Sequence, residues 1–239
     1  MKRKRTGDQQ EAEKALVGAM AAEMVETDMA IGLGTGSTVR HFAQALGQRI
    51  RAGLRVRVIC TSRQSEMLAQ QNDIPTTDFD RAPSLDLCVD GADEVSLDFD
   101  MIKGGGGALL YEKIVAAASA RRIYLADSTK LVGKLGRFPL PVEICLFGHQ
   151  NVLAHLGKLA RHCALRQRDG DPVITDAGHY IVDCQFDEIG QPADLHRQLC
   201  DIPGIVETGL FCGMIDTLIT IRNEKPVALA SPTEAFWAS

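Results

Sequence analysis

Met29-Ala-Ile-Gly-Leu-Gly-Thr-Gly-Ser-Thr38 decides how this chain folds. Met29 to Leu33 is an apolar run of strand length, and Gly34-Thr-Gly-Ser-Thr38 is a turn rich in glycine and hydroxyls. Val39 to Ile50 follows with helical spacing, and Ser37 is the expected N-cap. A strand that passes through a glycine turn into a helix is the front half of a βαβ unit. Working outward, Glu11 to Glu26 reads as an amphipathic helix and Arg55 to Cys60 as a strand. Ser62 caps a helix through Gln71, and Leu85 to Val89 is a strand that ends at Asp90. Ala108 to Ala120 then reads as a helix and Arg122 to Ala126 as a strand. Such alternation predicts an α/β fold with a parallel sheet, whose ligands bind beyond the carboxyl ends of the strands.

The grammar changes near Phe138-Pro-Leu-Pro141. A strand (142–146), a helix (151–160), a hairpin-like stretch (173–175, then 180–186) and a helix (193–200) predict a small α+β domain with antiparallel strands. Gly204 to Phe211 and Thr217 to Ile221 are expected to return to the first sheet.

With 239 residues, 45% hydrophobic and 24% charged, the chain can bury a substantial core in one or two domains. A net charge of -5 argues against a general nucleic-acid binder, and no apolar run reaches the length of a membrane span. The basic start, Met1 to Gly7, lacks the apolar stretch of a secretory signal and reads as a solvated leader. Seven scattered cysteines, none spaced C-x-x-C, favour a reducing compartment, hence the cytoplasm, and give no zinc signature. His155 and His162 lack partners for a ligand set, so no metal is expected.

Three candidate ligand loops fall in strand-to-helix connections. The first, Gly34 to Thr38, offers backbone N–H groups, hydroxyls and a helix N-terminus, which suit a phosphate. It is neither a P-loop nor a dinucleotide fingerprint, and tight packing explains such a turn equally well. The second, Asp90-Gly-Ala-Asp-Glu94, could be a simple turn. Three acids beside another glycine loop favour carboxylates that accept hydrogen bonds from sugar hydroxyls. The third, Lys103-Gly-Gly-Gly-Gly107, loses much backbone entropy on folding, which close approach of a ligand to its N–H groups would offset. Glu112 lies about a turn into the following helix, on the face of Ala108, with Leu110, Ile114 and Ala117 as the core stripe. A solvated Lys/Glu face is the bland reading. The adjacent glycines favour a carboxylate that moves a proton between neighbouring carbons while a cation steadies an enediolate. Lys130, after another strand end, and Lys14 on the first helix would each pass alone for surface lysines.

From about Lys14 to about Phe211 the chain resembles ribose-5-phosphate isomerase, type A. Gly32 to Thr38, Asp90 to Glu94, Met101 to Leu109 with Glu112, and Phe138-Pro-Leu-Pro-Val-Glu143 occur in the order and spacing of that family. The resemblance implies a Rossmann-like catalytic domain over 1–136 and 207–239, with helices on both faces of its sheet. A small α+β domain would occupy 137–206. It implies interconversion of D-ribose 5-phosphate and D-ribulose 5-phosphate in the non-oxidative pentose phosphate pathway, without cofactor or metal, by a homodimer or homotetramer that binds neither nucleic acid nor membrane. Carried over residue by residue, Glu112 would be the proton acceptor, and Thr35, Gly36, Ser37 and Thr38 would bind substrate, with Lys14 a helper at its phosphate. Asp90, Gly91, Ala92, Asp93, Lys103, Gly104, Gly105 and Gly106 would line the sugar, with Asp90 also assisting ring opening. Lys130 would complete the site. Lys158 to Arg166 lacks a Gly-Gly pair found in the family, and Thr175-Asp-Ala-Gly-His179 stands where T-D-N-G-N is usual.

Two other classes compete. A CoA-transferase relative would use Glu112 as a nucleophile on a thioester, but the Asp90–Asp93 pair suits a polyol better. A phosphosugar sensor would need a DNA-reading element, for which the residues before the first helix leave no room.

Overall fold

The computed structural model describes residues 6–230, and the structural statements below concern these; Met1 to Arg5 of the basic leader and the last residues of the tail lie outside them. Two units emerge, one from residues up to Gly91, Val115–Lys130 and Ile215 onward, the other from Ala92–Ile114 and Leu131–Met214. Elements are numbered along the whole chain.

The first unit contains α1 (Gly7–Glu23), β1 (Ala30–Leu33), α2 (Ser37–Arg51), β2 (Arg57–Cys60), α3 (Arg63–Gln71) and β3 (Leu85–Gly91). It also holds β6 (Ser119–Leu125), β14 (Thr217–Arg222) and β15 (Lys225–Ala230). Together the strands form one sheet in the order β2-β1-β3-β6-β14-β15, parallel except for β15. Val17, Phe42, Leu46, Ile31, Leu33, Val58 and Val89 share one buried cluster, so α1 and α2 cover the face that Ile31 and Leu33 present. Gly32 points to the other face, because side chains alternate along a strand. A Cβ there would stand 2.2 Å from Val115 Cγ1, which shows that the end of α4 (Leu109–Ala117) covers this second face. Helices therefore lie on both sides of the parallel sheet, as expected.

Helix α1 starts earlier than the apolar spacing predicts, at Gly7 and not Glu11, because Thr6 and Gln9 form a capping box. Its end at Glu23 and the start of β2 at Arg57 fall two or three residues inside the expected limits.

In the second unit, β7 (Leu140–Ile144), β8 (His162–Leu165), β11 (Tyr180–Gln185) and β12 (Ile205–Thr208) form an antiparallel sheet in the order β12-β7-β11-β8. A second antiparallel sheet joins β4 (Glu94–Val95), β5 (Met101–Ile102) and β13 (Leu210–Phe211), and β9 (Gln167–Arg168) pairs with β10 (Asp171–Pro172). Helices α5 (His149–Leu156) and α6 (Pro192–Cys200) contribute Val152, Leu156 and Leu199 to a core shared with Leu140, Val142 and Val182. The expected helix over 151–160 thus stops at Leu156, and of 173–175 only Ile174 bridges to Tyr180.

The stretch 204–211 does not return to the first sheet; only 217–222 does. Gly209 divides that stretch into β12 and β13. Its N–H donates to Pro141 O at 2.7 Å and its carbonyl accepts from Lys103 N at 2.8 Å. A Cβ at Gly209 would lie 2.3 Å from Lys103 O, so only glycine lets the chain cross here. Residues 92–114, expected with the first body, group with the second through these β4, β5 and β13 pairings.

Candidate active site

The residues expected at the site fall into one group on each unit. In the first, β1 lies between β2 and β3, so successive connections leave it in opposite directions. Such a switch point opens a crevice at the strands' carboxyl ends, where Gly34 and Asp90 both lie. A Cβ on Gly34 would stand 2.0 Å from the Asp90 carboxyl, so this position has room for glycine alone. Buried Asp90 accepts, on Oδ1, the N–H of Thr35 at 3.1 Å and of Gly91 at 2.7 Å. The Thr35 hydroxyl turns inward to Thr61 and Ser62, 3.0 and 2.7 Å away, so it shapes the loop.

Gly36, with φ 113°, is the N-cap of α2, and no side chain caps that helix. Ser37 is therefore the first helical residue and not the cap, which corrects the expectation. The first turn is left with amide N–H groups facing outward and the positive end of the helix dipole behind them. That is a ready anion site. A cavity of about 330 Å³ opens there, lined among others by Thr35, Gly36, Ser37 and Arg40.

Lys14 Nζ sits 2.8 Å from Glu11 Oε1, and Arg40 and His41 meet the other oxygen of that carboxylate. Hydrogen bonds from Lys14 first and then His41 hold the Glu11 carboxyl down at about 2. Half-buried Lys130 follows β6 on a loop secured by two acids. Asp127 accepts the Thr129 N–H at 2.9 Å, and buried Glu13 accepts the Ser128 N–H at 3.0 Å and its hydroxyl at 2.9 Å. Glu13 passed unnoticed in the sequence, where it is one acid among several on α1.

The second group is built on β5 and α4. Lys103 continues β5 and Glu112 lies in the first turn of α4; Lys103 Nζ is 3.2 Å from Glu112 Oε2 with both side chains almost wholly buried, 3% and 4% exposed. Phe211 lies under the ammonium, its ring centre 5.5 Å away. Between them the glycines turn sharply: Gly104 and Gly107 have φ +100° and +87°, and Gly107 N–H donates to Gly104 O at 3.0 Å. Asp93 accepts the Gly105 N–H at 2.7 Å, and a Cβ on Gly105 would come within 2.8 Å of that carboxylate. Gly105 and Gly106 remain exposed, and Ala92 leads into Asp93.

Sequence reasoning missed the outer brace of this loop. Arg166 Nη1 donates to Gly104 O at 2.8 Å and Gly105 O at 3.2 Å, while Asp183 holds its Nε at 2.9 Å. It missed Lys113 too, whose Nζ donates at 2.8 Å to Glu207, Thr208 O and Leu210 O and so fastens α4 beside Glu112. The α4 core stripe also needs correction. Leu109, Glu112, Val115 and Ala116 are buried, and Ile114 and Ala117, assigned to the core, are exposed.

A carboxylate against an ammonium, beside N–H groups freed of side chains, can pass a proton and steady an oxyanion. The family model described as ribose 5-phosphate isomerase A (phosphoriboisomerase A) matches residues 57–225. This chain belongs to that family. Ribose-5-phosphate isomerase A of Sphingopyxis alaskensis is 44% identical over 213 residues, 89% of this chain and 93% of its own. That of Bacillus mycoides is 48% identical over 202 residues, 84% and 91%. Among solved structures, the family member from Methanocaldococcus jannaschii superposes with TM-score 0.85 at 37% identity, covering 91% of this chain and 97% of its own. A D-ribose-5-phosphate isomerase in complex with phospho-erythronic acid gives 0.88 at 34% identity, covering 95% and 100%. The activity of this family member is aldose–ketose isomerisation of ribose 5-phosphate to ribulose 5-phosphate.

Proposed function

We propose that Glu112 is the acid/base that isomerises open-chain ribose 5-phosphate. The substrate's phosphate takes the N–H groups of Gly36, Ser37 and Thr38 at the start of α2, with Lys14 and Lys130 supplying positive charge. Asp90, Gly91, Ala92 and Asp93 receive the sugar hydroxyls, and Asp90 assists opening of the furanose ring. Glu112 removes the proton on C2, and the electron pair forms the C1–C2 double bond of an enediolate. Lys103 and the Gly104 and Gly106 amides balance the negative oxygen, while Gly105 lines the sugar with its N–H held by Asp93. A proton shifts from the C2 hydroxyl to the C1 oxygen, and the same carboxyl returns its proton to C1, which completes the ketose and restores Glu112. The buried Lys103–Glu112 pair, 3.2 Å apart, carries this reading, because burying such a pair costs stability that a role in the reaction accounts for.

The reading places the protein in the non-oxidative branch of the pentose phosphate pathway, in the cytoplasm, as a homodimer or homotetramer. Phe147 and Leu97, 96% and 75% exposed, are apolar side chains of the kind an oligomer covers. No helix among the described residues is long and apolar enough to cross a membrane.

The test is ketose formation from ribose 5-phosphate in metal-free buffer. Turnover should persist in EDTA and fall by about 10²–10⁴ in Glu112→Gln, with KM little changed. Near-normal turnover in that variant would remove Glu112 from the reaction.

A further inference from the structure

Helix α6 presents His196 and Cys200 one turn apart on the same face, and β12 brings Glu207 beside them. Cys200 Sγ and Glu207 Oε1 lie 3.6 and 3.8 Å from His196 Nδ1. Donor atoms of all three residues lie within 4.8 Å of one another. Tetrahedral Zn2+, with bonds of about 2.0–2.3 Å, separates its donors by about 3.4–3.6 Å. These side chains must close in by up to about 1 Å to meet that geometry. Two of the donors are already oriented from Thr208: its N–H donates to Glu207 Oε1 at 2.7 Å, and its Oγ1 lies 2.8 Å from His196 Nδ1. Cys200 is exposed and the other two half-buried, so an ion can enter from solvent.

We propose that His196, Cys200 and Glu207 form a binding site for a borderline divalent metal ion, Zn2+ foremost, with water as its fourth ligand. Imidazole, thiolate and carboxylate together suit zinc and not magnesium or calcium. The ion displaces the Thr208 hydroxyl at Nδ1 and the thiol proton of Cys200, which leaves to solvent as the sulfur–metal bond forms.

Occupancy should slow the enzyme. Lys113 Nζ shares Glu207 at 2.8 Å, and this ammonium is itself largely shielded from solvent. Bound Zn2+, less the thiol proton, adds one net positive charge beside it. The ammonium then loses its hold on the shared carboxylate, and its bonds to Thr208 O and Leu210 O weaken. Those bonds fasten α4 next to Glu112. This coupling rests on the role proposed for Glu112; the binding site does not.

Co2+ titration reads the site without reference to turnover. The wild-type protein should show thiolate-to-metal charge-transfer absorption saturating at one equivalent. Cys200→Ser should abolish it, and His196→Ala should weaken affinity about tenfold or more. Both variants should keep wild-type isomerase activity without metal. Absorption unchanged in both, or no saturable binding, would overturn the site. Zn2+ should inhibit the wild type reversibly with EDTA and inhibit Cys200→Ser at least about tenfold more weakly. Full Co2+ or Zn2+ occupancy with unaltered kcat would overturn the coupling through Lys113.

Discussion

Lys103 and Glu112 are the two charges this fold buries together and touching, 3.2 Å apart. Desolvating such a pair costs several kcal/mol that the mutual attraction only partly returns. Removing one partner alone is worse. Lys103→Met should destabilise the protein by about 3–5 kcal/mol in urea unfolding, since it strands a buried carboxylate. Lys103→Met with Glu112→Leu should regain most of that stability and none of the activity. A double variant no more stable than the single would mean that the pair is not maintained for chemistry. Both residues were legible in the sequence because a lysine, four glycines and a glutamate stand within ten positions. Arg166, which braces the same loop, and Glu13, which holds the Lys130 loop, were not. Their partners lie 62 and 115 residues away, beyond the reach of any local pattern.

Elements read from periodicity came out right where polar residues face solvent. The strand–turn–helix from Ala30 to Arg51 and its parallel partners are of that kind. Helix α4 is not. Setting Glu112 on a face of its own, apart from the core stripe, sends Ile114 to the core, whereas it is 46% exposed. A buried ion pair defeats hydrophobic spacing, because the spacing assumes that charge marks the surface. Glycine misled in the other direction at Gly209, which looks like part of one strand and divides two. Gly34 sits at the end of β1 with Asp90 carboxyl atoms filling the space its Cβ would need. Gly34→Ala should therefore cost about 1–3 kcal/mol and displace Asp90 and the Thr35 amide. Unfolding and KM for ribose 5-phosphate both report it; an alanine variant with unchanged stability and KM would show that the loop yields freely.

At the scale of the molecule, the parallel sheet closes through β14, and an ion pair secures that return. Arg122 on β6 binds Asp216, just before β14, through Nε at 2.8 Å and Nη2 at 2.7 Å. Burial raises the Asp216 pKa, but the Arg122 hydrogen bonds outweigh it and the net shift is downward. A carboxyl whose folded pKa is depressed adds stability above its unfolded pKa and loses it as pH falls through the folded one. Asp216→Asn should thus be less stable than wild type at neutral pH, and the gap should close in acid below about pH 4. A gap independent of pH would assign it to packing. The return of β14 was visible as an apolar run; the antiparallel pairing of β12 with β7 and of β13 with β5 was not, because partners far along the chain leave no spacing to read.

Solvent isotope exchange tests the relay itself. Wild-type protein given ribose 5-phosphate in heavy water should place deuterium on C1 of the ribulose 5-phosphate formed, seen by NMR, as the Glu112 proton exchanges with solvent between abstraction and return. Glu112→Gln should still bind ribose 5-phosphate and show no such incorporation. Deuterium entering at the wild-type rate in that variant would mean that another group carries the proton.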